Sequence, residues 1–256
     1  MIRNIFASIL ATLLCTAVSV QAQTGDDDRD AFIEANTIAV FYHELGHALI
    51  DLLLLPVFGQ EEDAADVLSV IMVDEIFEPE VAVDINVSAA ITFLVEDERR
   101  AGLGYDVPFW DTHGPDLQRF FNITCLVFGG DPAGRRDIAV DFDLPDDRAA
   151  GCEEEYALAF DSWGGVIDGL RDASDGTEWA SFNGDRPKDG TVNRLAFDAV
   201  KTEVEYLNEN FLSETKLSVF VEECGEANAF YIPDEKAIVM CSEFSGYLND
   251  LYDAIE

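Results

Sequence analysis

Positive charge is scarce in this chain: 15 lysines and arginines stand against 52 aspartates and glutamates, a formal net charge of −37 at pH 7. Such a surface repels phosphate backbones and anionic headgroups, which excludes nucleic acid and acidic lipid as partners. Apolar residues are not lacking. At 48% hydrophobic and 11% aromatic, the acidity belongs to the solvated surface of a folded domain rather than to a disordered chain. No C-x-x-C pair occurs, so a cysteine-based metal site has no support. The acidic run Gly25-Asp26-Asp27-Asp28 lacks the D-x-D-x-D-G loop and closing glutamate of a calcium hand, and residues 23–29 read instead as an acidic linker. Histidine is scarce as well, with three in 256 residues.

What is present begins with a targeting segment. Arg3 supplies a short positive region, residues 5–20 are almost uncharged and apolar, and Val20-Gln21-Ala22 forms a small-x-small cleavage site. Residues 1–22 thus read as a secretory signal peptide cut after Ala22, with no membrane insertion afterwards, since the apolar run is short for a full span. The expected location is the bacterial periplasm or exterior. Cleavage would remove Cys15 and leave Cys125, Cys152, Cys224 and Cys241. An even number in an exported protein favours two disulfides. Of the three connectivities, sequence order suggests Cys125–Cys152 and Cys224–Cys241.

The rest, residues 30–256, reads as one domain of α+β class, predominantly α. Residues 30–55 suit a long helix stopped by Pro56 and Gly59. Residues 60–77 suit a second helix with an apolar stripe of Val67, Leu68, Ile71 and Met72, and Pro79 opens a third to about Arg100. Further helices are expected over 116–128, 153–171 and 195–211, with surface loop over 129–151 and a polar excursion over 173–190. Residues 217–222 are β-rich, a hairpin is expected around Pro233-Asp234-Glu235, and the last dozen residues return to helical spacing.

Two of the three histidines fall in His43-Glu44-Leu45-Gly46-His47, in the middle of the first helix. Positions i and i+4 share one helix face, so both imidazoles can reach one metal ion. Glu44 sits beside the first of them, where it can take a proton from water as general base. This is the H-E-x-x-H pattern of zinc hydrolases. A catalytic zinc needs a third protein ligand, and the three-histidine extension is absent, because Ala48, Leu49, Ile50, Asp51, Leu52 and Leu53 follow His47. His113 is one candidate. The other is a carboxylate on the second helix, where Glu62 and Asp66 stand at i and i+4, one as ligand and one as support for a ligating histidine. A merely acidic first turn, favoured by the helix dipole, is the alternative reading of residues 61–63.

Taken together, Phe41-Tyr42-His43-Glu44-Leu45-Gly46-His47-Ala48-Leu49, Leu55-Pro56-Val57-Phe58-Gly59 and Glu61-Glu62-Asp63-Ala64-Ala65-Asp66 resemble a bacterial metallopeptidase family long catalogued as a domain of unknown function. His113 with the run from Asp116 to Asn122 and Cys125 is similar to the same family. So are Leu144-Pro145-Asp146-Asp147-Arg148 with Cys152, and the run from Cys224 to Tyr231 with Cys241. The stretch over 173–190 does not match. The helix pair is similar to gluzincins, whose third ligand is the Glu of an E-x-x-x-D or E-x-x-A-D element. The resemblance implies a zincin-like helix pair with Zn²⁺ on His43, His47 and Glu62, and peptide hydrolysis.

Among other polar candidates, His113 could donate to a developing oxyanion or serve as a structural hydrogen-bonder at a helix entry. Arg119 is expected to pair a carboxylate such as Asp116 or Asp147, or else to anchor a substrate carboxylate. Asn228 and Tyr231 lie on or beside the hairpin, and an edge strand there could bind an extended peptide, although core packing is the simpler role for Phe230 and Tyr231. The functional expectation is an exported zinc metallopeptidase acting on peptide or protein substrates, with Glu44 as base. A catalytically silent, zinc-stabilised binding protein on the same scaffold is the alternative.

Overall fold

The computed structural model describes residues 10–188 and 190–255. Helix α1 (Leu10–Leu52), whose residues from Phe32 to Ile50 enter the core, is followed by α2 (Glu61–Ile76), α3 (Pro79–Gly102), α4 (Asp116–Gly130), α5 (Arg136–Asp141), α6 (Asp146–Ala149) and α7 (Cys152–Ala173). Strand β1 (Ala180–Asn183), α8 (Thr191–Asn210), β2 (Leu217–Glu222), β3 (Ala229–Ile232), β4 (Ala237–Cys241) and α9 (Glu243–Ile255) complete the described residues. The fold is α+β and predominantly helical. No described helix is long and apolar enough to cross a membrane.

Helix α1 starts well before the expected residue 30 and takes in residues 23–29, read above as a linker. Part of the reason is local: Arg29 reaches Asn249 at 3.0 Å and Asp253 at 2.6 Å on α9, which ties that end of the segment to the body. The expected cleavage point after Ala22 falls within α1, and residues 1–9 lie outside the described residues. Two shorter elements also depart from expectation. Residues 129–151, read as loop, contain α5 and α6, and the excursion over 173–190 contains β1. Both are short segments whose order comes from neighbours rather than from their own pattern. Ala180, for example, is held by Asn208 on α8 and by pairing with Leu217.

The sheet order is β1-β2-β4-β3. β1, β2 and β4 run parallel and β3 returns antiparallel to β4, with Ala229 opposite Met240 and Ile232 opposite Ala237, so the expected hairpin is the sheet's outer pair. All five residues of β4 are buried. The core gathers Phe41, Tyr42, Leu45, Ala48 and Leu49 of α1, Leu68, Ile71 and Met72 of α2, and Val219 and Ile238 of the sheet. Over residues 32–50 helix α1 is therefore buried on most of its circumference, which agrees with the largely apolar composition of that stretch. Disulfides join Cys125 on α4 to Cys152 on α7, and Cys224 to Cys241 at the end of β4.

Candidate metal centre

The site grows from one close helix crossing. Helix α1 ends where Leu54 turns left-handed (φ 54°) ahead of Pro56, and the short link to Glu61 folds α2 back along it. A Cβ placed on Gly46 would meet Ala65 Cα at 2.9 Å. Only glycine facing a small residue permits this approach. The crossing carries His43 and His47 to one side and brings the first turn of α2 against them. That turn holds Glu61, Glu62 and Asp63 without a side-chain cap, so the acids meet the positive end of the helix dipole.

One oxygen gathers the histidines. Glu62 Oε2 lies 3.3 Å from His43 Nε2 and 3.2 Å from His47 Nε2, and the two Nε2 atoms are 3.3 Å apart. His43, His47 and Glu62 thus form a group whose donor atoms all fall within 4.8 Å of one another, able to hold a metal ion. The outer nitrogens are held as well: His43 Nδ1 is 2.7 Å from Asp66 Oδ1, and His47 Nδ1 is 2.8 Å from Glu61 Oε1. A carboxylate on Nδ1 keeps the proton there and turns the Nε2 lone pair inward, the arrangement metal-binding histidines use. Behind Asp66, Arg119 donates through Nε to Oδ2 at 2.7 Å and through a terminal nitrogen to Oδ1 at 2.6 Å, while its guanidinium lies 3.9 Å over the Phe93 ring. The donor set fits a divalent cation: two imidazoles with oriented tautomers and one carboxylate supply charge and lone pairs with little reorganisation.

Electrostatics follow from these contacts. Burial pulls His43 down, yet hydrogen bonds to Asp66 and Glu62 outweigh it and hold its pKa at about 9. His47 is raised in the same way by Glu62 and Glu61, against burial. Burial would raise Glu62, but hydrogen bonds from His113, His43 and His47 keep it well below the usual carboxylate range. Asp66 is likewise lowered despite burial, mainly by Arg119 and then by His43. Glu44 goes the other way. It is 6% exposed, and burial raises its pKa although the three histidines oppose the shift.

His113 is the third histidine at the centre, though it stands apart from the close group. It hangs on the loop between α3 and α4, with its side chain 48% exposed, its Nε2 3.0 Å from Glu62 Oε2 and its Nδ1 3.6 Å from Asp111. Glu44 borders two cavities that meet at His43. One, of about 740 Å³, opens past His47, Glu62, Trp110 and His113 along β3. The other, about 360 Å³, runs between α1, α3, α4 and α9.

The site residues expected from sequence thus converge, with one correction and two additions. Arg119 pairs neither Asp116 nor Asp147 but Asp66, because Arg100 on α3 already neutralises Asp116. Glu61, read only as part of an acidic turn, backs His47, and its position one residue before Glu62 was the available signal. Asp51, two turns beyond His43, accepts from Tyr231 at 2.6 Å and from Lys236, which fastens the β3–β4 hairpin to the motif helix. Tyr231 accordingly packs against the core and also spans to α1. No curated protein and no solved structure matches the chain. Residues 11–167 and 190–255 match the model of the family described as "Putative metallopeptidase", and the chain belongs to that family.

Proposed function

We propose that the protein is an exported, zinc-dependent peptidase in which His43, His47 and Glu62 hold the metal and Glu44 is the general base. The observation that carries this reading is the convergence of three donors separated by 3.2–3.3 Å beside a buried glutamate that is not among them. Zinc with ligands at about 2.0–2.1 Å in a tetrahedron requires donor separations of roughly 3.3 Å. When bound, the ion supplies Lewis-acid polarisation of a carbonyl and lowers the pKa of a water to about 7.

The chain's own residues do the rest. Glu44, flanked by three histidines, accepts a proton from the attacking water and delivers it to the leaving amine. A purely structural site has no use for a buried carboxylate at that position. Asp66, held ionised by Arg119, and Glu61 fix the tautomers of His43 and His47. His113, half-exposed on its loop and raised in pKa by Glu62, faces the cleft from the loop side as a donor to a developing oxyanion.

Substrate positioning has support in β3, the last strand of the sheet order. Cys241 donates its N–H to the Asn228 carbonyl, so in antiparallel alternation the main-chain groups of Ala229 and Tyr231 turn away from β4. The Ala229 N–H is already taken by the Asn228 side-chain oxygen at 2.9 Å, so an extended peptide laid along that edge gains its main-chain hydrogen bonds next to the metal from the Ala229 carbonyl and Tyr231. Residues 1–22 serve as the export signal, and the two disulfides suit an oxidising compartment. Metal content of the purified protein, measured together with cleavage of an unfolded protein substrate, tests the reading. About one zinc per chain with hydrolysis abolished by a chelator supports it, and a metal-free, fully active protein contradicts it.

A further inference from the structure

The loop between α3 and α4 carries a heavy load of apolar surface, of which the metal centre uses only His113. Leu103, Tyr105, Phe109 and Trp110 are all largely exposed within eight residues. The other two tryptophans, Trp163 and Trp179, are buried, so Trp110 is the exception. Aromatic surface left in water beside a cleft marks a place where something binds. Its presentation is built into the backbone. The Asp111 N–H donates to the Pro108 carbonyl at 2.9 Å, which puts Phe109 and Trp110 at the two corners of a turn. Of the four exposed side chains only Trp110 borders the larger cavity, together with Asp111 and His113.

Charge decides what fits there. No lysine or arginine lines that cavity, whereas Glu44, Glu61, Glu62 and Asp111 do, and one divalent cation would leave such a lining net negative. The three glutamates belong to the metal centre. Asp111 does not: it is half-exposed, and its one ion-pair partner among the described residues is His113, at 3.6 Å. An indole face attracts a cation, most often a guanidinium, which also stacks flat on the ring and pairs a carboxylate through two N–H groups. An apolar side chain would gain the ring alone, and an acidic one would be repelled by Asp111 and by a chain of net charge −37. We infer that Trp110 and Asp111 form a subsite for a basic side chain of the substrate, arginine above lysine, and that the substrates are cationic, extended peptides. The inference rests on the peptidase reading for the nature of the ligand, and binding is measurable without turnover.

The test uses tryptophan-free decapeptides that differ at one central residue (Arg, Lys, Leu, Gln or Glu) and the zinc-loaded Glu44→Gln protein. The Arg peptide should bind about 10-fold more tightly than the Gln peptide, the worth of a partly desolvated cation–π contact, with Lys between them. Because the other two tryptophans are buried, acrylamide quenching reads Trp110, and the Arg peptide should reduce it. Trp110→Ala and Asp111→Asn, each made in Glu44→Gln, should bring the Arg-to-Gln ratio close to one, while Trp110→Phe keeps part of it. Asp111→Asn removes one charge from a chain of −37, so the field of the whole protein does not account for such a loss. Its amide oxygen can still accept from the His113 N–H, as Asp111 does. In wild type, hydrolysis should favour the Arg peptide through KM. Far-ultraviolet circular dichroism and zinc content verify that the variants are intact, and if Trp110→Ala is not, Trp110→Leu replaces it. An Arg preference untouched by both substitutions, equal binding of all the peptides, or unchanged quenching overturns the subsite, and hydrolysis by wild type then leaves the peptidase reading standing. Arg-selective binding that both substitutions erase, without hydrolysis by wild type, keeps the subsite and removes the peptidase. Failure of every peptide to bind overturns the subsite outright.

Discussion

On one side of the metal centre, His43, His47 and Glu62 project from two helices locked together at Gly46 and Ala65, and each histidine has its own supporting carboxylate. On the other side, His113 hangs from a loop on which Phe109 is 82% and Trp110 86% exposed. The helix side is preorganised: His43 is buried, His47 and Glu62 are half-buried, both histidines are hydrogen-bonded through their outer nitrogens, and Asp66 is backed by Arg119. The loop side approaches the same Glu62 oxygen through one contact and open solvent. Rigid elements hold atoms more tightly than loops do, so the helix side is where a metal would be kept and the loop side where substrate is met.

Substitutions can break that comparison. The largest effect is expected from His43→Ala, His47→Ala or Glu62→Gln, each of which should lose metal and activity together, read by metal analysis after dialysis. Next comes Glu44→Gln, which should keep the metal and lose about 10²–10⁴-fold in kcat, the usual share of general base catalysis. His113→Ala should also keep about one metal per chain while kcat falls by about 10²–10³-fold, as loss of an oxyanion donor does. Loss of the metal in that variant would erase the contrast between the two sides. Asp66→Asn should weaken metal affinity by about 10–100-fold. Gly46→Ala should cost about 1–3 kcal/mol in denaturant unfolding, because its Cβ must push α2 away from α1.

Acidity sharpens the comparison from another direction. In the metal-free protein His43 is held at about 9, above its unfolded value near 6.5. That contribution to stability is complete below about pH 6.5 and is lost as pH rises through about 9. Glu62 and Asp66, both lowered, act in the opposite sense, and their contribution disappears as the solution is acidified below the ordinary carboxylate range. Metal must displace protons from the histidines, so its uptake should release protons and tighten with rising pH. Calorimetry in buffers of different ionisation enthalpy measures that release, and uptake without proton release would contradict the assignment.

Much of the helix side was legible in the chain. The spacing of His43 and His47, and that of Glu62 and Asp66, are statements about helix faces, and a helix face follows from local sequence. Gly46 and Ala65 were visible too, though only the crossing shows why both must be small. What could not be read was long-range. Arg119 finds Asp66 across 53 residues, and nothing near Arg119 announces that Arg100 has already taken Asp116. The position of β3 beside the metal depends on a sheet order that places β4 between β2 and β3, which pattern alone does not fix. β1 is four residues long and half-exposed, too short and too polar to carry a strand signal of its own.

The most direct test compares zinc-loaded wild type with zinc-loaded Glu44→Gln for metal content and for hydrolysis of one unfolded protein substrate. The account predicts about one zinc per chain in both, with hydrolysis by the variant reduced at least about 10²-fold. Hydrolysis by the variant at the wild-type rate, or a zinc-loaded wild type that cleaves no peptide, would contradict it.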